Sequence, residues 1–227
     1  MGRRFDAILF DAGGVLVLPD PTVLGPLLAP YGAATSYERH HRAHYAAMRA
    51  QDVDGDRHDD WDAYDRSYVA SLGLEGDDAV EAAIVLGRTR TPLLWRYPIH
   101  GVTDALQALV DRDVPIGVVS NAEGQVEAAL RRFKVCQVSK GDYVPVSCVI
   151  DSFVVGVAKP DAKIFSFALD VLGVAADRVA YVGDSVRNDV RGAGAAGLTP
   201  LHLDPYDDHP DAPHERIRNL ADLLDVV

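Results

Sequence analysis

The sequence predicts an α/β fold, a doubly wound and mainly parallel sheet carrying a small all-helical insertion, on three observations. Short apolar runs recur along the chain and each is cut off by a polar residue: Ala7–Phe10 by Asp11, Val114–Val119 by Ser120, and VAYVG by Asp184. Runs of that length bounded by turn residues read as buried strands. Between them lie segments with apolar residues three and four apart, the helical period. Residues 22 to about 93 differ from the rest in showing helical periodicity and few strand signals.

The first run organises the chain. In FDAILFDAGGVLV, Gly13 and Gly14 stop the strand abruptly, so Asp11 projects from its carboxyl end, the edge at which open α/β sheets bind ligands. An aspartate beside Gly-Gly is, taken alone, a plain turn. It gains weight because other runs deliver complementary groups to the same edge: Ser120 and Asn121, then Lys159 after the apolar segment Phe153 to Ala158, then Asp184 and Asp189.

Pro19 and Pro21 end the opening apolar run. Helices are expected over Ser36–Ala50, over Asp60–Leu72 with Trp61, Tyr64, Tyr68 and Leu72 on one face, and over Ala79–Leu94. His40 and His44 share a helix face. They offer metal ligands or a proton donor; with no third ligand in view they are read as a solvated polar face. Arg88 and Arg90, near the return to the sheet, offer substrate contacts, with a structural surface role the favoured reading. From Pro98 onward the sequence predicts helices at Gly101–Asp111 and Glu123–Phe133. Another is expected from Pro160 to a stop at Gly173, a residue type suited to a helix end. Residues 134–148 read as neither hairpin nor loop with any clarity. Thr199–Leu203 is expected to be the last strand, Asp204–Pro213 an exposed acidic loop, and Leu220–Val226 a terminal helix.

Composition narrows the functional classes. The chain has 227 residues with 48% hydrophobic and 25% charged, the profile of a globular protein able to bury most of its apolar surface. No apolar run approaches the roughly 20 residues of a membrane span. A net charge of −12 disfavours nucleic acid or an anionic membrane as partner. The densest basic group, Arg131, Arg132 and Lys134, fits the end of a helix. Cys136 and Cys148 are expected to be reduced thiols, and the start MGRRFDAILFD, with no signal-peptide cleavage pattern, favours a cytoplasmic location. No sequence signal bears on oligomeric state.

The order and flanks of these polar residues resemble the haloacid dehalogenase superfamily. FDAGGVL is similar to its first motif, VVSNAEG to its second, KPDAKIF to its third and GDSVRNDVRGAGAAGL to its fourth, spread over residues 5 to 203. The resemblance implies a Rossmann-like core of residues 1–17 and 95–227 with a helical cap at 18–94. It further implies a Mg²⁺-dependent phosphatase-like hydrolase acting on a small phosphorylated molecule through an aspartyl-phosphate. Asp11 would be the nucleophile, and Lys159 would pair with it and with phosphoryl oxygens. Ser120 and Asn121 would bind the phosphoryl group, Asp11, Asp184 and the main-chain carbonyl of Gly13 would hold Mg²⁺, and Asp189 would support the site. Such groups suit phosphoryl transfer, which rests on positioning and charge neutralisation.

One departure stands out. Phosphatases of the superfamily usually carry a second aspartate, which protonates the leaving group, where this chain has Gly13. General acid–base assistance contributes roughly 10²–10⁴-fold, about 3–5 kcal/mol of barrier. The gap points to a substrate with a good leaving group such as an acyl or anomeric phosphate, to an acid supplied by the histidines between Ser36 and His58, or to a protein that binds Mg²⁺ and a phosphorylated ligand or a protein partner without turnover. Dehalogenation is disfavoured because the dehalogenase pattern has Tyr where Gly13 stands, and phosphomutase action because it relies on the missing acid.

Overall fold

In the computed structural model, which describes residues 3–53 and 61–227, every side chain of β1 (Ala7–Phe10) is buried, as expected of a central strand covered on both faces. β2 (Val17–Pro19) leads into α1 (Pro21–Leu28), α2 (Tyr37–Val53), α3 (Asp62–Ser71) and α4 (Gly76–Thr89), and β3 (Trp95–Pro98) returns the chain to the sheet. There follow α5 (Val102–Val110), β4 (Ile116–Ser120), α6 (Val126–Arg132), β5 (Cys136–Val138), β6 (Val144–Val146), β7 (Val149–Asp151), α7 (Ser152–Val155) and α8 (Lys163–Leu172). The chain ends through β8 (Val179–Gly183), α9 (Arg191–Ala195), β9 (Thr199–Leu203) and β10 (Glu215–Ile217).

The main sheet is parallel in the order β10-β9-β8-β1-β4-β7. The chain runs outward from β1 through β4 to β7, crosses back to β8 on the other side of β1, and continues outward. The winding therefore reverses between β1 and β8, the place where such sheets take a ligand. Phe10 pairs with Val182, which sets Asp11 and Asp184 just beyond the last rung of these two neighbouring strands.

Alternation along the strands builds the two faces. Ile8, Phe10, Val118 and Val182 pack with Leu106, Leu109 and Leu130 of α5 and α6. Leu9, Val119 and Tyr181 pack on the opposite face with Ile164, Phe165 and Ala168 of α8. The helices between β2 and β3 form a cluster of their own around Leu24, Leu28, Ala43, Ala47, Tyr64, Tyr68 and Leu86. β2 and β3 pair antiparallel and tie this helical layer to the sheet. The face expected on α3 is present: Tyr64, Tyr68 and Leu72 are each 1% exposed, and a buried side chain of such size contributes about 1.5–3 kcal/mol.

Several local expectations are corrected. Phe153 to Ala158 is not a strand: β7 ends at Asp151, whose carboxylate accepts the Phe153 N–H and starts α7, leaving Phe153 exposed. The helix expected from Glu123 begins at Val126, because Gly124 turns at φ +90° and donates its N–H to Asp151. The helix expected to Leu94 ends at Thr89, ahead of Pro92. Residues 134–148 contain β5 and β6, a two-stranded parallel pair. Thr199–Leu203 is not the last strand, since β10 follows it, and the acidic loop is not wholly exposed. Asp204 is buried and accepts the N–H groups of Asp208 and His209 and a bond from Arg216. The terminal segment Leu220–Asp225 is a 3₁₀ helix, capped by the Asn219 side chain.

Candidate active site

Asp11, Lys159, Asp184 and Asp189 converge at the carboxyl edge. Lys159 is 1% exposed, and its three ammonium protons have three partners: Asp11 Oδ1 at 2.9 Å, Asp189 Oδ1 at 2.7 Å and the Tyr181 hydroxyl at 2.8 Å. Tyr181 in turn donates to the Val119 carbonyl of the adjoining strand. Burial favours the neutral amine, but the charges of Asp11 and Asp189 outweigh it and hold the Lys159 pKa above its ordinary value. The Asp11 carboxyl is pushed up to about 7, by burial first, with Lys159 opposing and Asp189 and Asp184 adding to the rise. Asp11 Oδ1 also accepts the Ala12 N–H at 2.7 Å.

One carboxylate oxygen from each of Asp11, Asp184 and Asp189 lies within 4.8 Å of the others. Lys159 answers Asp11 and Asp189 but not Asp184. Burial, and then the charge of Asp189, raises the Asp184 carboxyl well above the usual range. Its Oδ2 faces His44 Nε2 at 2.9 Å, and His44 Nδ1 meets the Tyr64 hydroxyl at 2.8 Å. A buried all-oxygen set with more negative than positive charge fits a hard divalent cation such as Mg²⁺. Gly14 is required here: at φ +70°, a Cβ on it would lie 1.8 Å from Asp184 Oδ2 and 2.5 Å from His44 Nε2.

The reading of His40 and His44 as a solvated face is corrected. Both are 1% exposed, because α2 lies against the core rather than in water. His44 reaches Asp184, while His40 bonds the Tyr68 hydroxyl at 2.8 Å within the helical layer. Burial pushes His44 down to about 3 and His40 down to about 4. His58 lies outside the described residues.

Three further residues hold the site's loops. Asp52, at the end of α2, accepts bonds from Ser185 Oγ at 2.9 Å, Val186 N–H at 2.7 Å and Arg187 N–H at 3.0 Å, clamping the loop after Asp184. Asp151 accepts the Gly124 N–H at 2.9 Å and shapes the loop after Ser120. Asn121, expected to bind substrate, spends its amide on the main chain of Lys159, donating to the carbonyl at 3.0 Å and accepting the N–H at 2.8 Å. Ser120, 5% exposed at the end of β4, lines the cavity with Asp11 and Lys159.

That cavity measures about 750 Å³ and extends to Trp61, Arg90 and Trp95 of the helical side. Arg90 pairs with Asp65 at 2.7 Å and its guanidinium lies 4.8 Å from the centroid of the Trp61 ring, so it is a cavity residue and not a surface one. The space beside Gly13 is tight: a Cβ there would lie 3.1 Å from Trp95 Cδ1 and 3.2 Å from Nε1. His44, Asp52, Tyr181 and Trp95 carried no spacing signal, since each acts across the fold; the one hint was the helical pairing of His40 with His44.

Comparison with known proteins agrees with this architecture. A family model described as haloacid dehalogenase-like hydrolase matches residues 5–197. The chain is 30% identical over 166 residues to a glyceraldehyde 3-phosphate phosphatase of Methanopyrus kandleri, covering 69% of this chain and 67% of the relative. It is 33% identical over 135 residues to a phosphoserine phosphatase of Thermus thermophilus, covering 57% of this chain and 51% of that one. Among solved structures, one described as a dehalogenase superposes with a TM-score of 0.60 at 22% identity, covering 100% of this chain and 99% of that chain, a likeness of fold.

Proposed function

The chain belongs to the haloacid dehalogenase-like hydrolase family, and from that premise we propose that it is a Mg²⁺-dependent phosphatase for a small phosphorylated metabolite with a good leaving group. The observation that carries this reading is the Asp11–Lys159–Asp189 cluster, one buried ammonium shared between two carboxylates at 2.9 and 2.7 Å beside a third carboxylate, Asp184, that meets the His44 imidazole at 2.9 Å. Phosphatase relatives support a phosphorylated small molecule as substrate.

In this mechanism Asp11 Oδ2 attacks phosphorus, the P–O bond to the leaving group breaks, and an aspartyl-phosphate forms. Lys159 holds Oδ1 and so keeps the carboxylate ionised and aimed, while Ser120 contacts a phosphoryl oxygen. Asp11 and Asp184, with the Gly13 carbonyl, would hold Mg²⁺, which supplies positive charge against the phosphoryl oxygens. Water then cleaves the acyl phosphate and restores the carboxylate. No side chain at position 13 can protonate the departing oxygen, so acyl and anomeric phosphates, which leave without a proton, are the favoured class. The helices α1–α4, within residues 18–94, act as the cap, and Arg90 and Trp61 present its face to the substrate. A cytoplasmic location belongs to this reading, in keeping with the free, buried Cys136 and Cys148.

A second reading is favoured by Trp95, whose indole a Cβ at position 13 would crowd at 3.1–3.2 Å: a binder of Mg²⁺ and a phosphorylated ligand that does not turn over. A panel of acyl, anomeric and alkyl phosphates and 2-haloacids, run with and without Mg²⁺, separates the possibilities. Mg²⁺-dependent phosphate release from the first two classes, abolished in Asp11→Asn, supports the phosphatase. Binding with no release anywhere supports the binder, and halide release without metal would replace both.

A further inference from the structure

We infer that the indole N–H of Trp95 donates a hydrogen bond to the oxygen on the leaving side of the bound phosphoryl group, in the place where phosphatases of this family usually carry a proton donor. Its chemistry rests on the phosphatase reading, its contact on the geometry of the cavity. Trp95, the first residue of β3, lines the cavity with Asp11, Gly13 and Lys159. Its Nε1 stands 3.2 Å from the point a Cβ on Gly13 would occupy, and the carboxyl carbon of an aspartate lies one bond beyond that point. The Trp95 N–H therefore borders the place of the missing acid. It has no hydrogen-bond partner among the described residues and is not closed off from solvent, unlike Arg90 Nη1 and His40 Nε2 of the helical layer. An indole nitrogen only donates, so what it binds is an acceptor such as a phosphoryl or leaving-group oxygen.

The donor is held in place from two sides. Trp95 pairs with Pro19 where β3 meets β2. Its ring meets the Trp61 ring edge to face with centroids 5.9 Å apart, the Arg90 guanidinium lies 4.8 Å from the Trp61 centroid, and Asp65 holds Arg90 at 2.7 Å. A dipole fixed before the reaction costs no reorganisation when charge develops on the departing oxygen. The indole differs from a carboxylic acid in one respect that decides selectivity: it stabilises a departing anion but keeps its own hydrogen. As the P–O bond breaks, both of its electrons stay on the leaving oxygen and no proton is transferred to it. The help such a donor gives grows with the charge on that oxygen, so it acts in the transition state more than in the bound substrate. Trp95 thus links the crowding beside Gly13 to the preference for leaving groups that depart as anions.

Two measurements on the full chain with Mg²⁺ test this. Substituted phenyl phosphates of graded phenol acidity give the dependence of kcat/KM on the leaving group. Trp95→Phe, matched to wild type by circular dichroism, keeps an aromatic ring and loses the N–H. Its loss is expected to grow from about twofold for 4-nitrophenyl phosphate to about tenfold for phenyl phosphate, the span of a neutral hydrogen bond; a packing role alone would lower every rate by one factor. The second measurement needs no turnover. The chain has two tryptophans, Trp61 and Trp95, so its indole ¹H–¹⁵N spectrum holds two signals, told apart in Trp61→Phe. Inorganic phosphate is expected to move the Trp95 signal downfield. A uniform loss or no loss in Trp95→Phe, or a Trp95 signal unmoved by phosphate, overturns the inference and leaves the phosphatase reading standing wherever wild type turns over. A moved signal in a wild type that hydrolyses none of these esters, nor acyl or anomeric phosphates, keeps Trp95 as donor to the bound phosphate and removes the phosphatase reading instead.

Discussion

His44 Nε2 stands 2.9 Å from Asp184 Oδ2, joining a residue of the helical layer to a carboxylate at the end of a core strand 140 positions later in the chain. The imidazole is held neutral by burial, with its pKa pushed down to about 3, so at neutral pH it orients Asp184 by hydrogen bonding rather than neutralising it. His44→Ala is expected to raise the Mg²⁺ concentration giving half-maximal activity by about 10–100-fold, with a smaller change in kcat at saturating metal. Activity measured across a Mg²⁺ titration checks this.

Asp184 has a carboxyl raised well above the usual range by burial and by Asp189. A raised carboxyl binds more protons folded than unfolded, so its ionisation lowers stability as pH climbs above the ordinary carboxylate value. Without metal, Asp184→Asn is therefore expected to melt several degrees above wild type at pH 8, with the difference closing toward pH 4. Mg²⁺ should raise the melting temperature of wild type and leave the variant unchanged.

Among the described residues, Lys159 is the single cation within hydrogen-bond distance of Asp11 and Asp189. Lys159→Met removes it and leaves two buried carboxylates facing each other, a loss of about 3–5 kcal/mol for a broken buried pair. Denaturant unfolding at pH 7.5 should show this loss, and turnover should vanish. Lowering the pH protonates the carboxylates and should recover part of the stability but none of the activity.

Asp11 is pushed up to about 7, by burial first and then by its acidic neighbours against Lys159. The nucleophile must be ionised. At low Mg²⁺, kcat/KM is expected to fall about tenfold per pH unit below that break and to level above it; at saturating Mg²⁺ the added positive charge moves the break to lower pH. Rate profiles at two metal concentrations test the direction.

Gly13→Asp alone should gain little on alkyl phosphates, because the new side chain meets the Trp95 indole at 3.1–3.2 Å already at its Cβ. Combined with Trp95→Ala, the new carboxyl has room, and rates on poor leaving groups should rise by at least tenfold within the roughly 10²–10⁴-fold range of general acid catalysis. Equal rates for both variants on every leaving group would show that steric exclusion by Trp95 is not the obstacle.

The strands and their polar ends were legible because short buried runs stop at residues that cannot continue them: Asp11, Ser120 and Asp184 stand at the ends of β1, β4 and β8, whereas Lys159 reaches the same edge from a loop. Legibility failed where a local signal was ambiguous or a partner was distant. Phe153–Ala158 is as apolar as a strand, yet Asp151 captures the Phe153 N–H and the chain coils instead. His44 read as part of a polar helix face and Asp52 lay beyond the helix expected over Ser36–Ala50, because only the packing of α2 on the core shows that their partners lie 140 and 133 positions away. Asn121 was legible as a site residue, but its bonds to the Lys159 main chain depend on a loop shape that no spacing conveys.

The carboxylate of Asp52 has a consequence for engineering. If α1–α4 act as the proposed cap, exchanging them is the direct way to alter substrate preference. Here one such segment also supplies the acceptor for Ser185 and for two main-chain amides of the neighbouring loop. A chimera that imports a foreign segment without a matching acid at that spot would inherit a new preference and a slackened catalytic loop together, so the boundary for swapping parts falls after position 53 rather than at the strands.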